Sequence, residues 1–200
     1  MITFLIVAAW GSALWAIANR AAARRRLVLG TSSQACATMT IVAASFLATV
    51  PHVKLSACIG LAVIGISAVV DAQSGYIFDP LVVAGLIGVA SFAMTEGTGV
   101  ASLYGLMVSG GSVLCIWVAS LGRGLGLGDV KLAAVVGAAF GPLGGITAIG
   151  LAFVVGSAVA ISGIIAGKAH FGMSVRFGPY LLAGSVCLLA YHRLSDGVIR

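Results

Sequence analysis

Five carboxylates occur in the 200-residue chain, Asp71, Asp79, Glu96, Asp129 and Asp196, few enough for each to be weighed for chemistry. Asp71 follows the apolar run 61–70 without a break. It therefore falls at the C-terminal end of a helix, where the macrodipole disfavours a negative charge, and no capping role explains it. Asp79 precedes Pro80, the pattern of a capped helix start, and structural capping is its simplest reading. Asp129 lies in Gly126-Leu127-Gly128-Asp129-Val130-Lys131-Leu132. One reading is a helix N-cap after a flexible loop. The other is a reactive carboxylate beside glycines whose missing Cβ permits positive φ and the close approach of an extended peptide. Lys131 either offsets charge at such a site or snorkels from the membrane edge. Glu96 and Asp196 read as solvated charges of a loop and a tail.

Two aspartates at the ends of separate helices suggest one kind of chemistry above others. In an aspartyl-protease dyad an ionised carboxylate takes a proton from water, and its protonated neighbour donates to the scissile carbonyl oxygen. Like charges a few ångströms apart do not both ionise cheaply, so the pair shares one proton and titrates as a pair. Asp71 and Asp129 stand 58 positions apart, and only the fold can bring them together; two unrelated structural acids remain the alternative. No metal is called for. His52, His170 and His192 are far apart, and Cys36, Cys58, Cys115 and Cys187 are isolated in apolar runs without a CxxC pair, unlike zinc or redox sites.

The elements that must position these acids are hydrophobic. The chain is 60% apolar and only 8% charged, with a mean hydropathy of +1.17, against about 25% charged residues in soluble domains. That excludes a soluble fold, and a nucleic-acid partner would need a basic, water-exposed face that the chain cannot build. The composition predicts an all-α, polytopic transmembrane helix bundle of about six to eight spans. Its 28 glycines suit closely packed membrane helices. Hydropathy places candidate spans near 2–18, 33–50, 55–70, 80–94, 99–120, 129–142, 144–166 and 177–191, the sixth and seventh divided at Gly141-Pro142.

The charge order argues against a cleaved signal, since Arg20, Arg24, Arg25 and Arg26 follow the first apolar stretch rather than precede it. With the N-terminus outside, eight alternating spans put Arg20, Arg24, Arg25, Arg26, Arg123, Lys131, Lys168 and Arg176 inside. Lys54, Arg193 and Arg200 fall outside. Asp71, Asp79 and Asp129 then gather at the cytoplasmic face, where an ionisable residue at the hydrocarbon edge is read as functional.

At this point the stretch 126–132 resembles the GxGD-x-K-L signature of the type IV prepilin peptidases, membrane aspartyl proteases of bacteria with archaeal preflagellin relatives. Asp71, with Ser74, Tyr76-Ile77 and Asp79 after it, is similar to the family's first catalytic aspartate and its following segment. Val175-Arg176-Phe177-Gly178-Pro179-Tyr180-Leu181 resembles the late stretch that opens the last helix. Two departures are an Ile77-Phe78-Asp79-Pro80 order where many members have Ile-Pro, and Gln73 near a usual basic position. They leave Asp79 as the fallback partner.

The resemblance implies catalytic Asp71 and Asp129, with Gly126, Gly128, Lys131, Asp79, Phe177, Gly178 and Pro179 forming the motif or positioning substrate. It implies residues 55–200 as the peptidase-like membrane domain and 1–54 as an N-terminal pair with a basic loop. It implies a short form without the methyltransferase domain, no cofactor and no metal. The expected partners are the lipid bilayer and prepilin or pseudopilin precursors of the Flp type, whose short basic leader is cut at the cytoplasmic face of the bacterial inner membrane. A homo-oligomer is compatible with this picture. A proton-coupled transporter using intramembrane carboxylates, or an inactive pilus-assembly subunit, are the rival expectations.

Overall fold

A computed structural model of the chain describes residues 2–25, 31–47, 54–122, 125–167 and 176–198. The positions Arg26, Arg123, Lys168, Arg200, His52 and His170 lie outside the described residues, as do the side chains of His192 and Arg193. Among the described residues, seven helices form an all-α bundle: α1 (Ile2–Arg24), α2 (Thr31–Leu47), α3 (Leu55–Ser74), α4 (Asp79–Thr95), α5 (Gly99–Ala119), α6 (Leu127–Ile165) and α7 (Gly178–Val198). Among the described residues there is no strand.

α3 is the axis of the bundle. Its run 57–66 is apolar except for two glycines, and a helix that is apolar all round is stable only when buried all round. α1, α2, α4, α6 and α7 all pack on it, and Ile59, Val63, Ile64, Ile66 and Val70 are fully enclosed. The outer helices instead turn large apolar side chains outward, among them Leu103, Met107, Val154 and Ile161. A soluble protein would bury that surface; a bilayer covers it. Four helices, α1, α3, α5 and α6, are long and apolar enough to cross a membrane, while α2, α4 and α7 carry shorter apolar stretches.

α6 is two helical arms. Gly141 adopts φ 76° and ψ 179° between them, a backbone that an L side chain avoids, and Pro142 supplies no amide hydrogen to carry the helix through. The chain folds back there. A Cβ placed on Gly145 would lie 2.7 Å from Gly137 Cα, whereas eight residues of straight helix would separate them by about 12 Å. The division expected at Gly141-Pro142 is therefore present.

Two boundaries differ from expectation. α1 runs through Ala21-Ala22-Ala23 to Arg24, because alanine is the strongest helix former, so Arg20 and Arg24 ride on a helix rather than a loop. Residues 192–198, expected as a polar tail containing Asp196, continue α7.

The bundle has two chemically different ends. One holds the start of α3, the turn between α4 and α5, and the kink of α6, which together line a cavity reaching from Lys54 and Ser56 to Gly141. The other holds the end of α3, the start of α4, and the first turns of α6 and α7. Asp71, Asp79 and Asp129 are all at this second end.

Candidate active site

Asp71 lies in the last turn of α3. Its backbone carbonyl accepts the N–H of Gly75 at 2.8 Å, and Gly75, at φ 66°, ends the helix in the left-handed conformation. The side chain is 6% exposed. Being at the wrong end of its own helix dipole, the carboxylate is served from elsewhere: Gly178 N–H donates to Oδ2 at 3.1 Å. Gly178 comes so near that a Cβ there would meet Asp71 Oδ2 at 2.9 Å. Glycine is thus required at this position for space, which gives the Phe-Gly-Pro stretch a physical role. Phe177 anchors it by packing its ring at a tilt against Phe153, with centroids 4.8 Å apart. Pro179 occupies the first turn of α7, where its missing N–H costs nothing.

Asp129 lies in the first turn of α6, where a negative charge suits the helix dipole. Its Oδ2 accepts the N–H of Gly126 at 3.0 Å, so the carboxylate closes back on the residue that caps the helix. It is half-buried and lies within electrostatic reach of Asp71. Packing of α3 on α6 thereby brings together two aspartates from distant parts of the chain. Among the described residues, neither carboxylate makes a further hydrogen bond, and one oxygen of each remains available.

The flanking glycines differ from the expectation in their backbone. Neither Gly126 nor Gly128 has positive φ. A Cβ on Gly128 would meet the Ile77 side chain at 3.0 Å, so this glycine gives room to the α3–α4 turn.

Asp79 and Lys131 also depart from expectation. The residue capping α4 is Phe78, with no side-chain cap. Asp79 Oδ1 instead pairs with Lys131 Nζ at 2.6 Å on the exposed surface. The lysine therefore neutralises Asp79, not the two buried-side aspartates, and the pair ties α4 to α6.

Arg176, expected as an inside basic residue within the stretch 175–181, has no site role in the sequence reading. Its Nη1 donates to the carbonyl of Ala72, and its positive charge acts on Asp71. The signal for it was its place directly before the Phe-Gly-Pro stretch. Glu96, expected as a solvated loop charge, is a further correction. It accepts hydrogen bonds from Leu55 N–H at 2.6 Å, Ser56 N–H at 3.1 Å and Ser56 Oγ at 2.6 Å, and so caps α3 at the opposite end of the bundle.

Among the described residues no cluster of three or more histidine, cysteine or acidic side chains is arranged to hold a metal ion. The site is thus an assembly of two neighbouring aspartates, each oriented by a backbone N–H, at one end of a membrane bundle. A search of the curated proteins and of the solved structures found no match for the chain. The model of the type IV leader peptidase family matches residues 58–161, just over half of the chain and including Asp71, Asp79 and the whole stretch 126–132. The chain belongs to the type IV leader peptidase family, a family of membrane proteases.

Proposed function

We propose that the protein is an aspartic endopeptidase that removes the short basic leader from prepilin or pseudopilin precursors of the Flp type, at the cytoplasmic face of the bacterial inner membrane. The reading rests above all on Asp71 and Asp129, which share one bundle end within electrostatic reach of each other. Family membership supports peptide cleavage in general. The orientation is supported by charge: Arg20, Arg24, Arg25, Lys131 and Arg176 belong to the same end as the aspartates, and Lys54 to the other. Cytoplasmic ends collect basic residues.

In this mechanism one aspartate is ionised and the other protonated. The ionised carboxylate takes a proton from water as the water oxygen bonds to the scissile carbonyl carbon. The protonated carboxyl donates to the carbonyl oxygen, giving a tetrahedral diol. As the C–N bond breaks, the first carboxyl returns its proton to the leaving amine and the second recovers a proton from the diol. The N–H groups of Gly178 and Gly126 each hold one carboxylate oxygen, leaving the other for water or substrate. The substrate's apolar helix would lie in the bilayer with its leader junction at the level of this site. Residues 55–200 carry this machinery, with residues 1–54 as an accessory pair packed on α3 and α4.

Co-expression with a candidate Flp-type prepilin tests the reading, with leader removal followed as a mobility shift on a gel. Asp71→Ala and Asp129→Ala are each expected to abolish the shift, and a chelator to leave it unchanged. Normal cleavage by Asp129→Ala would end the dyad proposal.

A further inference from the structure

A cavity of about 360 Å³ opens between the C-terminal end of α1 and the start of α4, apart from the two aspartates. Arg20, Arg24 and Arg25 line one side, and Phe78, Asp79 and Pro80 the other. Arg20 and Arg24 stand one helical turn apart and so share a face of α1. The carboxylate in the wall, Asp79, is engaged by Lys131. Among the described residues none of the three arginines has a salt-bridge partner. Arg25 lies over the Tyr76 ring, its guanidinium carbon 5.2 Å from the centroid. A cation–π contact of this kind uses none of the guanidinium's N–H groups on an oxygen acceptor. Three guanidinium groups around one hollow present a dense set of N–H donors, against a single carboxylate whose charge Lys131 offsets.

We propose that this cavity binds a phosphate group, supplied by the headgroup of an anionic phospholipid. Guanidinium forks match phosphate oxygens in pairs. The volume takes a headgroup and leaves no room for a folded partner. Phe78 and Pro80 form apolar walls that a free ion would leave unused and that the glycerol and upper acyl carbons of a lipid would cover. The cavity is also at the helix ends of a membrane bundle, where basic pockets meet lipid headgroups. The site requires the bundle to sit in a bilayer; it does not require peptide cleavage, so its test is independent of the proposed activity.

The full chain, purified in a non-ionic detergent, is to be offered phosphatidylglycerol or phosphatidylcholine, with retained lipid read by native mass spectrometry. Inorganic phosphate is added in a parallel thermal-shift arm. The expected result is a preference for phosphatidylglycerol of at least about tenfold, from the attraction of three basic side chains to an anionic headgroup. Arg20→Gln/Arg24→Gln/Arg25→Gln should remove that preference, and Lys54→Gln, at the opposite end, should keep it. Ala21→Trp, which narrows the cavity from α1 and leaves every arginine in place, should also lose the lipid and guards against a misfolded triple variant. Equal retention of the two lipids, or an undiminished preference in the folded triple variant or in Ala21→Trp, would overturn the site. Stabilisation by phosphate alone, with none by phosphatidylglycerol, would overturn the lipid as its source.

Discussion

At one end of α3 the carboxylate of Glu96 accepts three hydrogen bonds, from Leu55 N–H, Ser56 N–H and Ser56 Oγ; at the other, Asp71 accepts one, from Gly178. The difference follows from the helix itself. A helix N-terminus offers free N–H groups and the positive end of the dipole, so an acid placed there is consumed by the fold. A C-terminus offers carbonyls, and an acid there must be held by another element. Asp71 is held by α7, and with a single N–H it keeps acceptor capacity that Glu96 has largely used. Asp129 is intermediate: it enjoys the start of α6, but accepts only Gly126 N–H. Acids of the same membrane bundle thus differ in how completely their oxygens are occupied, from three bonds on Glu96 to one on Asp71 and one on Asp129.

The sharpest way to break this contrast is to change the carboxylates without changing their size. Asp71→Asn and Asp129→Asn should each lower leader cleavage by about 10³-fold or more, the scale of a lost general acid or base. Both variants should still fold, as read by thermal unfolding in detergent. Gly178→Ala comes next, because the new Cβ meets Asp71 Oδ2; a displacement of a reacting group costs on the order of 10²-fold in rate, measured by the same cleavage assay. Glu96→Ala should show the opposite pattern, with cleavage per folded molecule kept and stability lowered by about 1–3 kcal/mol for the orphaned donors of α3. Equal losses of activity in Glu96→Ala and Asp71→Asn would erase the distinction between the two ends.

Smaller effects sharpen it. Arg176→Gln removes the guanidinium that bonds Ala72 and acts on Asp71. We expect kcat to fall by roughly tenfold, about one charge-assisted hydrogen bond, with partial recovery in Arg176→Lys and little change in KM. Asp79→Asn should cost least. Its partner pair is exposed, and such pairs contribute about 0–1 kcal/mol, so cleavage should persist.

Much of this arrangement could be read from residue order because charge is so scarce. The unbroken apolar run before Asp71 marked an acid at an unfavourable helix end, and the structure keeps it there. Gly141-Pro142 marked the break in α6, since few residues other than glycine accept that backbone. The failures share a different cause. Asp79 looked like a cap because Asp-Pro favours helix starts locally, but Lys131, 52 residues away, claimed its side chain. Glu96 looked solvated because it lies in a short polar turn; its partners are 40 and 41 residues upstream. Gly128 gave no sign in sequence that Ile77 would pack against it. Local pattern reports backbone conformation well, while side-chain partners across helices depend on packing that no short motif encodes.

The bond between Gly178 and Asp71 joins residues 107 positions apart, and this bears on how the protein is made. A growing chain that has emerged as far as Ile165 already holds both aspartates and all the residues matched to the family. It still lacks the N–H that orients Asp71, because Gly178 arrives with the last helix. Synthesis therefore imposes an order on the site: the aspartates enter the membrane early, and their alignment waits for α7 to dock.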